Sequence, residues 1–287
     1  MNELQNLQLT QQNGAGWVPD PDDERDRTNY IEILSDLPTS VDLREWCSPI
    51  ENQGNINSCT AHAAIALVEY FERQASGKHL DLSRLFLYKV TRNLLRWTGD
   101  KGANPRTTIK ALALFGSIAE EYWAYEEAKL DEEPPAFCYA FASNYQALEY
   151  YRIDIKGRTR DVVLQQIKAN LAAGRPLMFG AILHHSSMQQ ATKTGMIPVP
   201  VQSDPMWGGH TMAAVGYDDT IKIKNTDPTG TETTGAILIR NSWGLEWGDK
   251  GYGWLPYEYV LRPLSNDWWT VLKSEWVDTG KFDAKKS

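Results

Sequence analysis

The sequence predicts an α+β molecule in which a helical first half packs against a strand-rich second half. Three observations carry that expectation. Apolar residues recur at three- and four-residue steps between Cys59 and Phe115, short β-type runs replace them after about residue 145, and turn-rich loops punctuate the second half. The expected division is an N-terminal arm over 1–36 and a single domain over 37–287. The helical lobe of that domain spans about 45–145 and its β-rich lobe about 146–287.

The arm is polar and turn-rich, with the mixed-charge run Asp20-Pro21-Asp22-Asp23-Glu24-Arg25-Asp26-Arg27. Its larger apolar residues are isolated leucines, Trp17-Val18 and the stretch holding Tyr30, Ile31, Ile33 and Leu34, so little core of its own is expected. Ala61, Ala64, Ile65, Val68 and Phe71 then mark one face of a helix from Cys59 to Gln74, with Asn57 or Ser58 as its cap and Gly77 as its stop. Helical patterns follow over Ser83–Leu95 and Pro105–Phe115, the second opened by Pro105 and closed by Gly116. Strand patterns run over Leu148–Ile155, Pro176–Leu183, Thr211–Tyr217 and Ala236–Ile239, interrupted by a helix over Asp161–Ala173. From about residue 256 on, Trp268, Trp269 and Trp276 are expected to extend the β-rich lobe or wrap back over the body.

At 287 residues, 42% hydrophobic and 23% charged, the chain can bury a sizeable core. A net charge of -8 and a pI near 5.2 argue against nucleic acid or an anionic membrane as the principal partner. No apolar run reaches the ~18 residues of a membrane span, and Met1 to Gln12 lacks the apolar core of a secretory signal, so a cytoplasmic location is expected. With three cysteines a disulfide framework is absent, and Cys47 and Cys138 read as buried free thiols.

Two long local signatures bracket the domain. The first is Asn52-Gln53-Gly54-Asn55-Ile56-Asn57-Ser58-Cys59-Thr60-Ala61, and the second is Asn241-Ser242-Trp243-Gly244-Leu245-Glu246-Trp247-Gly248-Asp249-Lys250-Gly251-Tyr252. Together with Gly208-Gly209-His210 ahead of an apolar run, they resemble the papain-like cysteine peptidases. That family carries its His and Asn roughly 130 to 150 residues after the Cys. His210 falls at the edge of that window and Asn241 beyond it, which an insertion between Ile221 and Gly235 accounts for.

The resemblance implies a two-lobed fold, a helical left lobe and a β-barrel-like right lobe, with a substrate cleft between them. Cys59 is then the nucleophile, held in the first turn of a helix whose N–H groups and dipole favour the thiolate. His210 is the base, Asn241 fixes its tautomer, and Trp243 shields that hydrogen bond. Gln53 and the Cys59 N–H form the oxyanion site. Gly102, Ala103 and Gly209 are candidate substrate contacts, the first two by pairing with an extended peptide, and Trp247 lines the leaving-group side. Leu37 to Arg44 resembles the start of mature family members.

Of the other histidines, His62 lies one turn after Cys59 and reads as a hydrogen-bonded core residue, His184 and His185 as solvated loop residues, and His79 as a surface residue. Thr60 and Ala103 depart from the family pattern, as does Asn55-Ile56-Asn57. The expected function is peptide-bond hydrolysis on a peptide or protein substrate, needing no cofactor or metal, with the N-terminal arm as a candidate intramolecular inhibitor trimmed near Leu37. The alternatives are a retired peptide-binding module and an amidase or acyltransferase acting on a non-protein substrate.

Overall fold

A computed structural model describes residues 15–32, 36–143 and 145–276, with the side chains of 145–148 and 272–276 outside that description. The expectations for Met1 to Gln12, for Ile33 and Leu34 and for the Trp276 side chain therefore lie outside the described residues. The helical half comprises α1 (Cys59–Ser76), α2 (Arg84–Leu95), α3 (Pro105–Phe115) and α4 (Ala136–Ala142). Strand β1 (Ser40–Asp42) precedes it. The second half comprises β2 (Tyr145–Arg152), α5 (Arg160–Ala172), β3 (Leu177–His184), α6 (His185–Thr194), β4 (Met206–Lys224), β5 (Glu232–Arg240), β6 (Tyr252–Pro256), α7 (Glu258–Leu261) and β7 (Ser265–Trp276).

Local chemistry sets the helix ends. The Ser83 hydroxyl accepts from the Phe86 N–H at the start of α2, and Asn104 accepts from Thr107 N–H ahead of Pro105 in α3. Gly77 closes α1 with a left-handed backbone, φ 69°. Ser58 occupies the cap position of α1 without capping it, because its hydroxyl bonds instead to the Tyr125 hydroxyl, 2.6 Å away.

The strands form one antiparallel sheet in the order β2-β7-β3-β4-β5-β6, with β1 paired to β4 beside Gly216–Asp218. It is not closed into a barrel: β2 and β6 are its two edges and do not pair with each other. Bulges on β4, between Ala214 and Gly216 and between Asp218 and Lys222, interrupt its pairing with β5.

Alternation along the strands sends neighbours to opposite faces. Met178, Ala213, Val215 and Trp269 join the core shared with α1, α2 and α3. Leu177, Phe179, Met212, Ala214 and Trp268 face the second core under α5, α6 and α7, where Phe179 and Trp268 stack with ring centroids 4.0 Å apart. The first core therefore runs without a break from the helices into the sheet.

Candidate active site

Cys59 begins α1 and is fully buried, as are Gln53 and His210. The two signature segments bond to each other across the seam between the halves. Gln53 N–H donates to Ser242 O (2.8 Å), and Asn52 bridges Trp243. His210, on β4, has Nε2 2.7 Å from Asn241 Oδ1. That oxygen also accepts the Ser242 N–H at 2.8 Å, which fixes the amide orientation and gives Nε2 the ring proton. The Trp243 indole stacks on the imidazole at 4.3 Å and 24°. Trp247, buried, and Trp207 pack edge-on against Trp243 at 5.9 and 5.5 Å.

The Cys59 sulfur is met by backbone N–H groups of Thr211, Gly16 and Thr60, which bring β4, the arm and α1 to one atom. Thr211 directly follows His210, so the sulfur lies beside the segment that carries the imidazole. Burial pushes the Cys59 thiol up, against the lowering by those N–H groups. The sequence favoured a thiolate here. In the covered site that burial opposes the helix terminus.

Gln53 is held on three sides. Its Nε2 donates to Ile56 O (2.8 Å), its Oε1 accepts from Ser242 Oγ (2.7 Å), and its carbonyl accepts from the Tyr125 hydroxyl (2.8 Å). Ser242 and Tyr125 were not singled out from the sequence. Ser242 sits inside a signature that was read for its Asn and Trp, and Tyr125 had no local pattern to mark it.

The candidate substrate contacts are brought together, and the arm already occupies them. Trp17 N–H donates to Gly209 O (3.0 Å), Val18 N–H to Ala103 O (3.0 Å), and Ala103 N–H to Gly16 O (2.9 Å). The pairing at Trp17 and Ala103 is a parallel bridge. Close approach requires glycine: a Cβ on Gly16 would lie 2.0 Å from Asn57 O, and one on Gly102 2.2 Å from Gly16 O.

The arm, expected to have little core of its own, borrows core from the body. Trp17 is only 1% exposed and lies against Gly180 and Ile182. Beyond it, Asp20 accepts from Arg106 N–H and Trp269 Nε1 (2.9 and 2.8 Å), Asp26 pairs with Arg106 (2.5 Å) and Arg152 (3.3 Å), and the Gln166 amide brackets Ile31 with two 2.9 Å bonds.

His62 is a core residue as expected. Its Nδ1 lies 3.2 Å from Ser58 O, its ring packs edge-on against Tyr125, and burial pushes its pKa down to about 3, so it is neutral. His79 is exposed. His184 and His185 are not a solvated loop: His184 ends β3 and is buried, while His185 starts α6 and is exposed. The strand simply runs further than its apolar pattern. All three cysteines are free and buried. Among the described residues no group of His, Cys, Asp or Glu is arranged to hold a metal, and no helix is long and apolar enough to cross a membrane.

An open depression of about 530 Å³ is lined by Asn52, Gly54, His185, Met188, Trp207 and Trp243. A cleft with a thiol, an oriented imidazole and an extended strand along its floor has the parts for acyl transfer at an amide carbonyl.

Known proteins are related to this chain in sequence. A peptidase C1-like protein of Acanthamoeba polyphaga mimivirus is 33% identical over 85% of this chain and 76% of its own. The thiol protease aleurain of Arabidopsis thaliana is 28% identical over 75% of this chain, which spans only 55% of aleurain's length. Among solved structures, xylellain, a cysteine protease from Xylella fastidiosa, superposes with a TM-score of 0.79 at 32% identity, covering 93% of this chain and 98% of that one. The model of the papain family cysteine proteases matches residues 37–259, the stretch that carries both signatures and His210, and the chain belongs to that family of hydrolases.

Proposed function

We propose that Cys59, His210, Asn241 and Gln53 carry out peptide-bond hydrolysis through an acyl-enzyme, and that arm residues 15–31 hold the enzyme closed until they are displaced. His210, oriented by Asn241, takes the Cys59 proton through its other ring nitrogen, and the thiolate attacks the substrate carbonyl carbon. The resulting oxyanion is bound by the Cys59 N–H and the Gln53 amide. Collapse breaks the C–N bond as the imidazolium protonates the departing amine. Water, deprotonated by His210, then splits the thioester, releasing the acid and restoring the thiol. Trp243 stays on the imidazole throughout and keeps water from its bond to Asn241.

The observation that carries the closed-enzyme reading is the arm's backbone on Gly209, Ala103 and the Cys59 sulfur. It sits where an extended peptide would, yet it offers the sulfur an N–H from Gly16 rather than a carbonyl carbon. That contact accounts for an arm that blocks the site without being cut there. Gly102, Ala103 and Gly209 then serve as substrate contacts, and Trp247 supports the leaving-group side.

The test is covalent labelling by an epoxide thiol-protease reagent, followed by peptide turnover. We expect labelling of Cys59 that rises when Trp17→Ala loosens the arm and is absent in Cys59→Ala. A folded chain whose Cys59 stays unlabelled in both arm states sinks the hydrolase mechanism. Equal labelling and turnover with and without Trp17 sinks the inhibitory arm alone.

A further inference from the structure

The Trp17 indole fills a cavity built for it from four body segments. Its ring fusion and N–H edge lie on Gly180 of β3, where an added Cβ would come 2.0 Å from the indole Cε2 and 2.2 Å from Nε1. Ile182 and Met206 close the sides. At the far end Nε1 donates to Asp267 Oδ2, 2.9 Å, both groups buried. Ala103 and Gly209 hold the backbone of the same residue at the mouth.

Asp267 is built into this position. It has a left-handed backbone, φ 57°, at an irregularity in the pairing of β7 with β3, and its own N–H donates to Asp154 Oδ2 at 2.7 Å. Aspartate tolerates that backbone better than most residues. Its Oδ1 is taken by Arg152 Nη2 at 2.7 Å, which turns Oδ2 into the cavity. In the closed chain Oδ2 accepts from Trp17 Nε1 and from Asp20 N–H, both donors belonging to the arm.

We propose that this cavity is the side-chain specificity pocket of the cleft, and that it selects a peptide residue with a broad flat ring and an N–H at its far edge, tryptophan above all, with Asp267 as the specificity-determining residue. The inference rests on the proposed displacement of the arm. Once the arm leaves, both donors to Oδ2 leave with it, and a buried carboxylate oxygen faces an apolar slot floored by a residue without a side chain. A phenyl ring fills part of that slot and strands the oxygen, whereas an indole satisfies it. Cationic side chains are disfavoured. Arg152 already pairs with Asp267, and a cationic side chain would have to share that carboxylate with it.

The experiment uses the full chain carrying Trp17→Ala, with Trp17→Phe as a second arm-loosened chain where the first does not fold. Peptides vary at either of the first two residues on the acyl side of the scissile bond: tryptophan, benzothienylalanine (the same shape with sulfur for N–H), phenylalanine and arginine. Turnover is read as kcat/KM, and binding of the corresponding peptide amides by calorimetry. The expected result is tryptophan about tenfold or more above benzothienylalanine in both readouts, with phenylalanine and arginine lower still.

Asp267→Asn, which suits the same backbone, should turn its oxygen to Arg152 and its NH2 into the pocket, bringing tryptophan down to the benzothienylalanine level. Equal binding of tryptophan and benzothienylalanine with Asp267 intact overturns the proposal, as does an undiminished tryptophan preference in Asp267→Asn. Absence of turnover for every peptide, with Cys59 unlabelled, overturns the hydrolase reading instead, and the calorimetry still decides the pocket.

Discussion

The helix that carries Cys59 and the arm that covers it meet at one sulfur atom and are held there by different forces. Helix α1 is buried from Cys59 through Ile65 and again at Leu67, Val68 and Tyr70, in a core continuous with the sheet. Removing any of its large side chains would cost about 2–5 kcal/mol. Among its described residues the arm has one comparable anchor, Trp17. The rest of its hold consists of backbone bonds and carboxylates on Arg106 and Arg152. Apolar burial of that extent is nearly indifferent to pH, whereas a cluster in which burial raises the carboxyls of Asp20, Asp154 and Asp267 is not. The difference makes one element scaffold and the other a removable cover.

The sharpest way to break that distinction is at the shared sulfur. Cys59→Ala should leave the fold and the arm in place while peptide turnover falls by at least ~10⁴-fold, measured against Trp17→Ala as the open reference. Loss of fold instead would make Cys59 a packing residue. Next in size, Gln53→Ala should lower kcat by about 10²- to 10³-fold with little change in KM, because the amide is invoked only for the oxyanion. An unchanged kcat removes it from the site.

The arm should respond where the helix does not. In Gly16→Ala the new methyl meets the Asn57 carbonyl, a backbone atom that cannot step aside, so the arm lifts and initial turnover rises roughly tenfold. Thermal unfolding of the body should stay where it was. A chain with unchanged turnover would mean that the close pass at Gly16 does not hold the cleft shut.

The smallest expected effect is on pH. Burial raises the Asp20 carboxyl to about 6 from its ordinary 3.8, against the lowering by Arg152 and Arg106, and burial together with Asp20 and Asp154 raises Asp267. A carboxyl with the higher pKa in the closed form takes up a proton on closing. This contribution to closure is therefore complete below about 3.8 and is lost as pH rises through about 6. Limited proteolysis within residues 15–31 should be several-fold slower at pH 5 than at pH 7.5. The opposite trend would assign the hold to the ion pairs rather than to the protonated carboxyls.

Much of this was legible in the sequence because the signals are local. The Cys59 helix, the two helices after it and the Gly208-Gly209-His210 strand follow from periodicity and capping, and the candidate site follows from two uninterrupted signatures. What was not legible depends on distance in the chain. Nothing near Trp17 announces that its partner is Asp267, or that Gly180 is glycine for an indole to lie upon. The resemblance implied a barrel-like lobe where the sheet is open, and strand patterns do not reveal whether edges meet. The burial that pushes the Cys59 thiol up was not legible for the same reason, since part of the cover arrives from residue 16 rather than from the helix on which it sits.

One small contact reaches further than its size. The Ser242 hydroxyl and carbonyl both engage Gln53, so the amide expected to cradle the developing negative charge on one half is aimed by a residue from the other. A slight parting of the halves would misdirect that amide while every helix and strand remained intact. Turnover should therefore be lost on warming before the helices and strands melt.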